Sequence, residues 1–287
     1  MTNPIFLAVA AGLMFSLSHF LVRLGLEESN PTTAVTVNVA VNAAGLWALA
    51  AFFSPVRPLV SLSAWPFVLA GLFAPSLARV LLYHGYGHMG LARAAVLAGA
   101  VPLFSVVVAV LFLGERPSPL AVAGTVGIVA GIGALSYSRG PGKDWARWTV
   151  ILPLAAALCF ALRDVFSKVG LQTLPFPIAG ASVAATSSAV VLYLSFLTSK
   201  GRERMVLTGR GFWLFFGSGV FLVLAYLCVF LALKGGMVSL VSPLINIHPL
   251  FSVLLSYLFL QSAEHVTGKV AAGGLLIVAG AVGVALG

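Results

Sequence analysis

Hydrophobic and polar positions along this chain fall into long blocks, not short periods: extended apolar runs are separated by brief polar connections. A bilayer core roughly 30 Å thick takes about 20 helical residues to cross, so each run predicts a membrane-spanning helix. The blocks place helices near 5–26, 33–53, 64–86, 91–113 and 119–138, and again near 149–170, 178–198, 211–234, 238–260 and 268–286. This predicts an all-α membrane protein of ten transmembrane helices, with almost no sequence left for a soluble domain.

The two sets of five are copies of one another. Phe15-Ser16-Leu17 aligns with Phe160-Ala161-Leu162, which puts Gly25-Leu26 on Gly170-Leu171, Arg23 on Lys168 and His19 on Asp164. Pro102-Leu103-Phe104-Ser105-Val106 returns as Pro249-Leu250-Phe251-Ser252-Val253, and Ile128-Val129-Ala130-Gly131 as Ile277-Val278-Ala279-Gly280. The copies are 1–138 and 148–287, joined by a Gly/Pro-rich polar linker over 139–147. An odd number of spans per copy inserts the second upside down relative to the first, so the expected fold is a pair of inverted five-helix repeats. Carriers are often built this way, because related halves can rock about a shared central site.

Composition agrees: 60% of residues are hydrophobic and 8% charged, against roughly 25% charged in soluble domains. The net charge of +9 does not imply nucleic-acid binding, because the basic residues sit at helix ends and in short connections, where they orient and anchor the chain. Arg139, Lys143, Arg147, Lys200, Arg202, Arg204, Arg210 and Lys269 fall on one side, and Arg57 and Arg116 on the side that shares the termini. The positive-inside rule would put the termini outside the cytoplasm. The first helix lacks the basic leader of a cleaved signal and takes part in the repeat. Cys159 and Cys228 lie within spans without CxxC spacing, which points to packing, not to a metal or redox site.

Charged groups in a span cost roughly 2.5–3.5 kcal/mol each and normally face an interior cavity. His19 and Arg23 share one face of the first helix, and Asp164 and Lys168 one face of the sixth beside Arg163. Arg79 lies about two turns inside the third helix, with Tyr83 and Tyr86 on its face; Asn38 and Asn42 share a face of the second. Asn246 and His248 sit between Pro243 and Pro249, where missing backbone donors loosen the ladder and free carbonyls. The expected binding residues are therefore Arg79, Tyr83, Asn38, Asn42, Arg163, Asn246 and His248. His19, Asp164 and Lys168 form a coupling or ion-pair group, and Pro102, Pro243 and Pro249 are hinges. Each has a plainer reading: Lys168 and Arg23 can snorkel to headgroups, and the asparagines can tie helices together.

Two five-helix halves, a proline in each fourth helix (Pro102 and Pro249) and the stretch Leu113-Gly114-Glu115-Arg116-Pro117 followed by Gly124 and Gly131 resemble the EamA family of the drug/metabolite transporter superfamily. The second copy, Leu260-Gln261-Ser262-Ala263-Glu264, departs by losing the glycine. The resemblance covers essentially the whole chain. It implies a secondary transporter, export, residence in a bacterial inner membrane and cytoplasmic termini, the last against the loop charges. Superfamily members that exchange cationic drugs for protons carry a glutamate in the first helix; this chain has His19 there. Arginines outnumber the interior acid, so the expected substrate is a small anionic or zwitterionic metabolite such as an amino acid or organic acid. No nucleotide-binding motif or H-E-x-x-H or G-x-S-x-G signature occurs, so no cofactor, metal or enzymatic activity is expected. The alternative is an intramembrane enzyme or flippase acting on a lipid-linked substrate. The glycines Gly124, Gly127, Gly131, Gly273, Gly280 and Gly283 favour packing between the halves, leaving a monomer expected and a homodimer open.

Overall fold

A computed structural model describes residues 3–54, 62–89, 91–136, 147–198, 205–259 and 268–287. The linker residues 139–146, the loop cations Arg57, Arg139, Lys143, Lys200, Arg202 and Arg204, and the stretch Leu260–Glu264 lie outside that set. So do the side chains of Tyr83, Tyr86, Arg93, Arg147 and Lys269.

Local chemistry starts the first two helices in the same way. Asn3 precedes Pro4 and Asn30 precedes Pro31; each asparagine side chain accepts a backbone N–H, from Ile5 and Thr33 respectively, both at 2.9 Å. A proline in the first turn has no N–H to leave unsatisfied. These caps open α1 (Pro4–Gly25) and α2 (Pro31–Phe53). The third apolar block, expected as one helix, is instead α3 (Trp65–Gly71), a π-helical turn (Leu72–Leu77) and α4 (Ala78–Met89). Pro75 within the turn cannot donate to the helical ladder, and Ala74 before it is extended, with φ −150° and ψ 140°.

The fourth block divides into α5 (Leu91–Ala98) and α6 (Val101–Leu113), with Pro102 in the first turn of α6. Gly114, at φ +65°, ends α6 in the left-handed conformation that glycine adopts without strain. Next come α7 (Pro119–Ser136), α8 (Ile151–Thr173), α9 (Pro177–Thr198) and α10 (Gly209–Gly235). The ninth block breaks at Asn246-Ile247 into α11 (Val238–Ile245) and α12 (His248–Phe259), and α13 (Gly268–Leu286) completes the chain. Among the described residues all regular structure is helical. Eight helical stretches have the length and hydropathy of a span, while Pro119–Leu135 and Ala272–Leu286 are shorter apolar helices.

Large apolar groups lie on the outer surface as well as in the core, and several polar groups are buried, unlike a soluble domain. Phe52, Leu111 and Phe112 are exposed, whereas Ser16, Ser18, Asp164 and Ser242 are buried. Hydrocarbon solvates the first group, and only other helices can satisfy the second.

The packing repeats when the halves are exchanged. Helix α1 lies against α10, as α8 lies against α3 and α4; α1 also meets α11 and α12, as α8 meets α6. The close approaches match: a Cβ on Gly25 would strike the Phe215 ring, and one on Gly170 would strike the Phe67 ring. Helices α7 and α13 meet glycine to glycine. A Cβ on Gly124 would lie 2.5 Å from the Gly280 carbonyl, and one on Gly131 would lie 2.6 Å from that of Gly273. The glycine faces are thus covered within the chain, as small residues allow when two backbones approach in lipid.

Candidate functional site

The polar residues of α1, α4, α8 and the broken ninth block converge in the interior. Gly12 lets α1 press against the break between α11 and α12; its Cβ would stand 3.0 Å from the Ile245 carbonyl. One turn on, the Ser16 hydroxyl donates to the His248 carbonyl at 2.6 Å. This contact holds the start of α12 beside α1, and the His19 and His248 rings lie edge to face with centroids 5.6 Å apart. Phe15 stacks on His19 at 6.5 Å and meets Tyr226 edge-on at 5.9 Å. His19 keeps an exposed surface beside these contacts. His248 Nδ1 has no hydrogen-bond partner among the described residues.

On α8, Arg163 and Asp164 are 7% and 0% exposed. The guanidinium folds back onto its neighbour, donating from Nε at 2.9 Å and Nη2 at 2.7 Å, both to Asp164 Oδ1. Oδ2 accepts from the Ser242 hydroxyl of α11 at 2.6 Å. The same Ser242 hydroxyl lies 2.8 Å from that of Ser105 on α6, so its one proton is shared between that oxygen and the carboxylate. A buried ion pair is stable only when its remaining lone pairs are satisfied as well, and the serines from two further helices do that. The guanidinium carbon stands 5.5 Å from the centre of the Phe160 ring, and Tyr226 is a polar neighbour of the same group. Arg79, on α4 just beyond the π-helical turn, is partly buried and an electrostatic neighbour of His19. No ion pair to Arg79 occurs among the described residues.

The other expected residues are distributed differently. Lys168 does not pair with Asp164, although the two share a helix face. Both carboxylate oxygens are already engaged, and the Lys168 ammonium donates at 2.8 Å to the carbonyls of Leu233 and Gly236 at the end of α10. Free carbonyls at a helix C-terminus attract a cation. Asn38 joins an interhelical network: its amide donates to Ser218 at 2.5 Å, and Ser218 shares a 2.8 Å bond with Ser18. Asn42 Oδ1 is buried without a partner among the described residues. Asn246 turns back to donate to the Ser242 carbonyl at 2.8 Å, closing the end of α11. Tyr83 has no described side chain.

Sequence reading passed over Ser105, Ser242, Phe15 and Tyr226, since single serines and aromatics in an apolar run carry no distinguishing signal. It noted Glu115 only within the Leu113–Pro117 stretch. The left-handed turn at Gly114 precedes Glu115, whose carboxylate reaches α11. It accepts from the Val238 and Ser239 amides at 2.7 and 2.8 Å and from the Ser239 hydroxyl at 2.6 Å. An apolar crevice of 480 Å³ between α2 and α10, lined by Val41, Gly45, Phe216 and Val223, is separate from these groups and offers almost no polar surface.

Residues 2–137 and 147–286 each match the model of the EamA-like transporter family. No curated protein matches the chain. A solved structure titled only "Crystal structure of protein" shares the fold, with a TM-score of 0.83 over 99% of this chain and 96% of that one, at 21% sequence identity.

Proposed function

Because this chain belongs to the EamA-like transporter family, within the drug/metabolite transporter superfamily, we propose that it is a secondary transporter exporting a small anionic or zwitterionic metabolite by alternating access. The observation that carries the substrate class is the interior charge: two arginines, Arg79 and Arg163, against one carboxylate, Asp164, in the helices that bring the His19 and His248 rings together. Guanidinium groups bind carboxylates and phosphates through paired donors, and a cavity away from bulk water strengthens that attraction. Neither the family nor the site geometry favours the enzyme or flippase alternative.

In this reading the shorter helices α7 and α13 are the fifth and tenth spans. The halves 1–138 and 148–287 are then inverted repeats about the linker 139–147. The exchange of helix contacts between halves supports this, as does the pairing of Gly25 with Phe215 and Gly170 with Phe67. The breaks near Pro102 and between Pro243 and Pro249 are the hinges, because the ladder is already interrupted there. The protein resides in a bacterial inner membrane as a multi-pass monomer whose partners are its substrate and the surrounding lipid.

Uptake and counterflow in proteoliposomes test the reading, using labelled amino acids, organic acids and phosphorylated metabolites with and without a pH gradient. Counterflow of an anionic or zwitterionic compound that is lost in Arg79→Ala is expected. Movement of cationic compounds alone would overturn the substrate class, and no movement of any compound would overturn the reading as a carrier of these metabolites.

A further inference from the structure

We propose that Glu115 is a latch of the transport cycle: its hold on the start of α11 keeps one face of the molecule shut, and that hold has to release for the face to open. The inference rests on the carrier reading above and deepens it by naming what closes one of the two faces.

Glu115 follows α6 and belongs to the first half, whereas α11 belongs to the second. The carboxylate accepts from the Val238 and Ser239 amides at 2.7 and 2.8 Å and from the Ser239 hydroxyl at 2.6 Å. Just before them in the chain, the Leu233 and Gly236 carbonyls accept from the Lys168 ammonium, both at 2.8 Å. An anion thus fixes the amide end of α11 and a cation the carbonyl end of α10, each charge at the helix end that favours it. One turn further into α11, the Ser242 hydroxyl lies 2.8 Å from that of Ser105 on α6. This assembly sits at the face where α1 begins, since a Cβ on Gly236 would stand 2.9 Å from Pro4 Cβ.

The opposite face is not held in this way. Aligning Pro102 with Pro249 carries α6 onto α12 and α5 onto α11. Many helix contacts survive that exchange, but the packing of α6 on α11 does not: among the described residues α12 and α5 make no comparable contact. Burial follows the same division. Seven of the eight residues of α11 are buried, α12 has no buried residue, and Ala94 is the only buried one among the described side chains of α5. The chemistry divides too. The alignment puts Ala92 on Ser239 and Ala95 on Ser242, so the first copy has no hydroxyl at either place. Ser252, the copy of Ser105, donates to the His248 carbonyl of its own helix at 3.1 Å. Contacts that both halves make cannot favour one closed face over the other, whereas contacts made in one state only set its population. The Glu115 bonds join the two halves at one face, and rocking of the halves has to separate them.

The test reads which face is open by cysteine labelling of the full-length protein in proteoliposomes. Cys159→Ala and Cys228→Ala remove the native thiols, and a membrane-impermeant maleimide is supplied on both sides of the membrane. Val241→Cys, on the buried side of α11, reports the latched face, and Ser252→Cys, on α12, reports the other. With Glu115 present, the cysteine at 241 should label slowly and the one at 252 faster. Glu115→Ala should speed labelling at 241 by at least about tenfold, the shift expected from losing one charge-assisted bond made in one state only. It should also slow labelling at 252. Ser239→Ala removes one bond of three and should move both rates in the same directions by less; it decides the matter if Glu115→Ala fails to insert. Faster labelling at 241 without slowing at 252 would be plain loosening of α11 and overturns the latch, as does no change at 241. Labelling needs no substrate, so the two readings can fail separately. A reciprocal shift in a protein that moves none of the metabolite panel leaves the latch and removes the carrier reading. Counterflow without the reciprocal shift does the reverse.

Discussion

Replacing Glu115 with alanine should loosen α11 from the rest of the molecule. The carboxylate accepts two backbone amides and a hydroxyl at the start of that helix. Hydrogen bonds to a charged group contribute about 1.5–3 kcal/mol each. Loss of a helix N-cap costs about 0.5–2 kcal/mol when water can replace the acceptor. Glu115 is only partly buried, so water recovers part of the loss, and a net cost of about 2–3 kcal/mol follows. For a chain of this size each kcal/mol lowers the unfolding midpoint by roughly 2–4 °C, so the drop should be about 4–12 °C.

A thiol-reactive dye provides the assay without engineering, because Cys159 is buried and becomes reactive on unfolding. Glu115→Gln keeps one acceptor oxygen and should fall between wild type and alanine. Glu115→Asp keeps the charge but shortens the reach, so it should resemble alanine more than wild type. An unchanged midpoint in Glu115→Ala, or a Glu115→Gln variant less stable than alanine, would refute the claim that this carboxylate secures α11.

Three further outcomes follow from the packing and the ion pair. Gly124→Ala should destabilise the protein by more than about 1 kcal/mol through overpacking, because its Cβ meets the Gly280 carbonyl at 2.5 Å. Gly127→Ala, whose Cβ meets only ordinary contacts from 3.5 Å, should be neutral or stabilising, and dye-monitored unfolding compares the two. Gly25→Ala and Gly170→Ala should each be destabilising because each meets a phenyl ring, and Phe215→Leu and Phe67→Leu respectively should relieve them; rescue by the wrong phenylalanine would argue against the matched contacts. In double-mutant cycles of unfolding midpoints, Asp164→Asn and Lys168→Met should be additive within about 0.5 kcal/mol. Asp164→Asn and Arg163→Met should couple by more than about 1 kcal/mol, and coupling of Asp164 to Lys168 instead would reverse the assignment of the ion pair.

Lys168 shows where reading the sequence stops. Its spacing from Asp164 places both on one helix face, which is correct and still does not make them partners. The face tells which side a group occupies; the end of α10 and the side chains of Arg163 and Ser242 decide what waits there. Pro75 lies in plain view in the third apolar block, yet the block was expected as one helix. Its hydropathy is uninterrupted, and a proline can kink a membrane helix or break it depending on what satisfies the freed groups. The breaks near Pro102 and Pro249 were approachable because the repeat presents the same proline twice.

What the sequence alone determined is everything governed by local or repeated pattern: the apolar blocks, the two copies, the glycine faces of α7 and α13, the family, and the excess of interior cations. Bilayer thickness and the cost of burying charge act on each segment separately, so they leave a readable trace in one dimension. Only the tertiary structure decided that Arg163 holds Asp164, that Ser105 and Ser242 lie beside that pair, that His19 meets His248 edge to face, and that Glu115 caps α11. Those are contacts between helices far apart in the chain, and a buried polar group takes whichever partner packing brings within about 3 Å.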